Sequence, residues 1–195
     1  GYLAGTSTQN TGSVAIGAYA GCNTQGERAV AIGSCAGAST QGAYSIAIGN
    51  NAGSNVQLAD AIAVGNAAGQ EQQNLYAVAV GSAAGKCNQA IYAIAMGLNA
   101  GFYGQGQASI GIGVNAGNSN QGSNSIAIGL NSGFNSQGIS SVAIGYNTLA
   151  NLCCGNGNIA IGCMTACAGT YLYYNTFIGG FNELRFDCTK QCNWV

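Results

Sequence analysis

Nine cysteines, five carboxylates and four Lys or Arg are the chemistry-bearing residues of this chain of 195, and it has no histidine. Six cysteines crowd its last quarter: Cys153, Cys154, Cys163, Cys167, Cys188 and Cys192. Cys163-Met-Thr-Ala-Cys167 and Cys188-Thr-Lys-Gln-Cys192 could be two halves of a four-thiolate zinc site. Each pair, however, brackets three residues instead of the commoner two. Disulfides that cap the last coils fit these residues better, although spacing leaves their connectivity open. The odd count leaves at least one thiol unpaired or bonded between chains.

Without histidine, the usual Ser-His and Cys-His nucleophile pairs and the commonest general base are missing. Glu183 and Asp187 are the only carboxylate pair near an aromatic-rich segment, and they read as solvated charges on a terminal cap. Gly111-Ile-Gly113 and Gly155-Asn-Gly157 open no helix, so neither supports a phosphate loop. The expectation is a protein that is not an enzyme, with no metal and no cofactor.

What must position these residues is a repeat. An apolar-Ala-apolar-Gly motif returns every sixteen residues, ending at Gly17, Gly33, Gly49, Gly65, Gly81, Gly97, Gly113, Gly129 and Gly145. A second glycine register runs with the same period from Gly5 to Gly133, usually after Ala. A third column is glutamine: Gln9, Gln25, Gln41, Gln57, Gln73, Gln89, Gln105, Gln121 and Gln137. A period this short and regular means stacked coils rather than one central core. The sequence therefore predicts an all-β, parallel β-solenoid of about eleven coils over residues 1–179. Proline is absent, so nothing forces a break in the ladder.

Within a repeat such as Val14-Ala-Ile16, the residues alternate as in a strand, and the larger columns are almost all β-branched. Burying the larger side chains places Val14, Ile16 and their repeats inside. On that reading Ile48→Asp or Ile128→Asp disrupts folding. The opposite face is then a flat strip of Ala15, Ala31, Ala47, Ala63, Ala79, Ala95, Ala127 and Ala143, suited to self-association. Arg at Ala63 and Ala79 would split lateral contacts and leave the coils intact. The glutamine column reads as an internal ladder of amides that satisfy one another from coil to coil. Asn51, Asn99, Asn115, Asn131 and Asn147 share a turn column suited to the left-handed conformation.

After Gly145 the period slips to seventeen, through Gly162 to Gly179, and the glutamine column gives way to Cys153. Residues 180–195 bring Phe181, Leu184, Phe186 and Trp194 with four charges, as expected of a Cys-rich C-terminal cap over the open end. Gly1 stands sixteen before Gly17, so the first coil is expected to begin partway and to offer strand edges.

Net charge is −1, and no charge lies between Lys86 and Glu183. Phosphate-driven nucleic-acid binding is excluded by so few cations. Apolar runs of a few residues exclude insertion as a transmembrane helix. So little charge also leaves copies of the chain free to pack together.

Ser13-Val-Ala-Ile-Gly17, Ser45-Ile-Ala-Ile-Gly49, Ser125-Ile-Ala-Ile-Gly129 and Ser141-Val-Ala-Ile-Gly145 resemble the head repeats of YadA-type trimeric autotransporter adhesins. Asn158-Ile-Ala-Ile-Gly162 is similar to repeats of phage and large-virus surface fibres. The resemblance spans residues 1–179 and implies a left-handed coil, a homotrimer, and an extracellular place on a cell or virion surface. The period here is sixteen where those heads typically use fourteen, and the cysteines are atypical. The functional expectation is a structural fibre or adhesin that self-associates, as a trimer of parallel rods or an end-to-end filament, and presents an attachment surface to a receptor or glycan. The alternatives are an ice-binding solenoid, for which Thr8, Thr24 and Thr40 begin a threonine row, and an enzyme of polysaccharide metabolism.

Overall fold

The computed structural model describes residues 1–150, 155–166 and 173–179, and it is a parallel β-solenoid. Among the described residues, each of the first eight coils contributes two short strands and the last three contribute one. Three-residue strands at Val14–Ile16, Val30–Ile32 and their repeats form an eleven-stranded sheet that runs to Thr176–Ile178. Strands ending in the glutamines, from Thr8–Gln9 to Ser119–Gln121, form an eight-stranded sheet opposite. Register follows the repeat: Val78 pairs with Ile94, Ala79 with Ala95 and Val80 with Met96. Where the sequence slips, pairing slips with it, and Val142 meets Ile159, which in turn meets Thr176. Eleven rungs at ~4.8 Å give a rod roughly 50 Å long.

Two corner columns make stacking this tight possible. Gly81 has φ 129°, and a Cβ there would lie 2.6 Å from the Gly97 carbonyl oxygen. Only a residue without a side chain lets successive coils close to strand spacing at that corner. Two residues on, the left-handed region is occupied on successive coils by Tyr19, Cys35, Asn51, Ala67, Ala83, Asn99, Asn115, Asn131 and Asn147, all with φ between 51° and 56°. Asn adopts this conformation at lower cost than other residues with a Cβ, which explains its share of the column. Asn99 donates to Asn115 and Asn115 to Asn131, at 3.3 and 3.0 Å. Ala83→Asn should therefore relieve strain and extend that ladder. It is expected to stabilise the protein by about 0.5–1 kcal/mol, read as a higher melting temperature by circular dichroism.

The interior is the reverse of what residue size suggests. Ala31, Ala47, Ala63, Ala79, Ala95, Ala127 and Ala143 are fully buried, and Ala15 in an end coil is half-buried. A second buried column runs Ala20, Ala36, Ala52, Ala68, Ala84, Ala100 and Ala116. The Val and Ile columns face outward: Ile48 is 37% and Ile128 36% exposed, and Ile16 in the first complete strand 57%. The expected Ala self-association strip is therefore the core, and the expected Val/Ile core is the surface. The reason lies in the width of the coil. Glutamine side chains from one sheet reach the backbone of the other, so one extended amide and a methyl group fill the space. Towards the described C-terminal end the filling changes, with Leu149 and Phe177 buried beside Ala143 and Ala160.

Candidate functional site: the outer apolar ribbon

The buried glutamines tie the ribbon to the opposite sheet. Gln73 Nε2 donates to the Ile62 carbonyl in the opposite sheet at 2.7 Å and to Gln89 Oε1 of the next coil at 3.1 Å. Gln57 Nε2 in turn donates to Gln73 Oε1 at 3.0 Å. The ladder runs unbroken from Gln41 through Gln57, Gln73, Gln89, Gln105 and Gln121 to Gln137. Gln9 donates to Gln25, but Gln41 Oε1 is buried without a partner, so the ladder is interrupted below Gln41. Every rung from Gln25 to Gln137 also staples the two sheets: Gln25 to the Val14 carbonyl, Gln89 to Val78 and Gln137 to Ile126. A buried amide of this kind is costly unless paired, and pairing in two directions fixes both sheet spacing and coil register.

Outside, the ribbon carries one column of Val14, Val30, Ile46, Ile62, Val78, Ile94, Ile110, Ile126, Val142 and Ile159. Beside it stand Ile16, Ile32, Ile48, Val64, Val80, Met96, Ile112, Ile128, Ile144, Ile161 and Ile178. No charged residue interrupts either column. One margin of the ribbon changes along the rod. Ala18, Ser34, Asn50, Asn66 and Ser82 line its first half. Leu98, Val114, Leu130 and Tyr146, each more than 40% exposed, line its second. The ribbon is thus two residues wide at one end and three at the other.

The remaining candidates separate. Thr8, Thr24 and Thr40 are exposed on the outer face of the glutamine sheet, and the row ends at Val56. Cys163 is a free thiol, so its expected place in a disulfide cap is not seen, and Cys22, Cys35 and Cys87 are free as well. Cys153, Cys154, Cys167, Cys188 and Cys192 lie outside the described residues, as does the cap at 180–195. Burial pushes the Cys87 thiol above its ordinary pKa, and the neighbouring Glu71 carboxylate adds to the rise. That thiol is consequently a poor nucleophile near neutral pH. Among the described residues, no cluster of three or more Cys, Asp or Glu is arranged to hold a metal ion. No helix there is long and apolar enough to cross a membrane.

The sequence contained a signal for the true orientation. Over the sixteen-residue repeats from Ala15 to Ala143 the alanine column varies only at Gly111, whereas its neighbours drift among Val, Ile and Met. A wall facing a filled interior tolerates less variation than one facing out.

These features define the protein as a β-solenoid with a glutamine-stapled interior and an apolar outer sheet. No protein-family model matches the chain, and no curated protein or solved structure matches it.

Proposed function

We propose that this protein is a structural fibre or adhesin component that associates with copies of itself through the Val/Ile ribbon and presents its polar sides for attachment. The observation that carries this reading is the outward-facing apolar ribbon, which runs along the rod without a charge. A strip roughly 50 Å long and about 15 Å wide offers on the order of 750 Å², close to the share per partner in a standard interface. Patches of this size on isolated proteins mark interaction surfaces. Three parallel rods, each turning its ribbon inward, would bury the surface most completely, and the wider second halves would then meet one another. In an antiparallel pair, Leu98 and Val114 would face the Asn66 and Asn50 end instead. Copies aligned in this way multiply a weak contact to a receptor or glycan, which suits a place on an extracellular or virion surface.

Charge placed on the ribbon tests the reading. Ile48→Asp with Ile128→Asp should keep the β-sheet spectrum, because both side chains point to solvent in the single chain. The same change should convert an oligomer into monomer in sedimentation velocity at micromolar concentration. A wild-type chain that sediments as a monomer throughout that range would overturn the proposal.

A further inference from the structure

Another column of side chains stands at the turn before each Val/Ile strand, on the margin opposite Leu98. Its members from the second to the sixth coil are Arg28, Tyr44, Asp60, Tyr76 and Tyr92, all left-handed with φ from 54° to 61°. Backbone hydrogen bonds stack them on consecutive rungs: Tyr44 N–H to the Glu27 carbonyl, Asp60 N–H to Ala43, and Tyr76 N–H to Ala59. The shared conformation sends the five side chains to one corner. Tyr44, Asp60 and Tyr76 are exposed there.

Both tyrosines are braced from outside. The Tyr76 ring stacks on Tyr92, with centroids 5.2 Å apart and planes 11° from parallel. Arg28 lies over the Tyr44 ring at 5.7 Å and donates from Nη1 to its hydroxyl at 3.2 Å. Between these two aromatic walls sits Asp60, whose carboxylate has no hydrogen-bond or ion-pair partner among the described residues. Two rungs separate Tyr44 from Tyr76, a spacing of roughly 10 Å. A cation midway would lie about 5 Å from each ring, within the ~6 Å reach of a cation–π contact.

We propose that Tyr44, Asp60 and Tyr76 form a slot for one organic cation head, a trimethylammonium or a guanidinium group. The rings supply two negative faces, and Asp60 at the base supplies the counter-charge. The pairing of Arg28 with Tyr44 on the adjacent rung shows this corner accepting such a group from within the chain. Arg28 itself is held on the far side of Tyr44, and its charge is shared with Glu27 at 3.4 Å. It therefore competes little for the slot.

Titration of the whole protein with choline, and separately with ethylguanidinium, tests the site through tyrosine ring-proton NMR shifts. Shifts confined to Tyr44, Tyr76 and the adjoining Tyr92 are expected at millimolar concentration, with the neutral isostere 3,3-dimethylbutanol binding at least about five-fold more weakly. The two cations distinguish an ammonium source from a guanidinium source. Asp60→Asn and Tyr76→Leu should each weaken binding about five-fold or more and leave the β-sheet spectrum unchanged. Equal binding of the neutral alcohol, or unaltered binding by both variants, would overturn the proposal. So would the absence of shifts with both cations.

Discussion

Ala79→Leu is expected to unfold the coils around it, at a cost of about 3 kcal/mol or more, whereas Val80→Thr on the neighbouring position should cost under about 1 kcal/mol. By ordinary hydrophobicity the ranking would be the opposite. Ala79 is fully buried, and across the same interior Gln89 Nε2 reaches the Val78 carbonyl at 2.8 Å. Three added carbons have nowhere to go unless that staple breaks or the sheets part. Arg at Ala63 or Ala79 is worse still, because it buries an unpaired charge. Such a change should prevent folding of those coils rather than separate assembled copies. Val80, in contrast, already meets solvent along one side. Thermal melting by circular dichroism, with hydrogen exchange to locate the opened coils, measures the difference. Mapping matters because a stack of repeats need not unfold as one unit. Equal tolerance at the two positions would contradict the inward alanine column.

The second large effect belongs to the ladder. Gln73→Leu removes the donor to the Ile62 carbonyl and to Gln89 Oε1, and the acceptor for Gln57 Nε2. Each buried group left unsatisfied costs about 1–3 kcal/mol, so a loss of roughly 3–5 kcal/mol is expected. Gln73→Ala should cost more, since it opens a cavity in addition to losing the same bonds. Denaturant unfolding of the two variants gives the ranking. Stability indifferent to both would mean the amides contribute no net support. The step below Gln41, already lacking its link, should tolerate substitution better than Gln73.

Much of this was legible in the residues. The period of sixteen dictated coil length, pairing register and the slip to seventeen after Gly145, because parallel strands in a stack can pair only with their own repeat. The column at Asn51 and Asn99 announced a left-handed turn, since few other residues with a Cβ enter that region at low cost. Recurrence of Gln73 and its repeats likewise pointed to an amide ladder, because a buried amide needs an identical partner above and below.

Which face of each strand turns inward was decided only by tertiary structure. Alternation has a period of two and no sign, and here both faces are apolar: Val78 and Val80 on one, Ala79 on the other. Size argued for the valines inside. Closure of a sixteen-residue coil argued otherwise, because two strands of two or three residues leave an interior only one glutamine wide. Sequence alone therefore determined that the chain is a regular stack with one larger and one smaller apolar face. The narrow interior determined that the smaller face, at Ala79, became the core, and that the larger, at Ile48 and Ile128, became the outer surface.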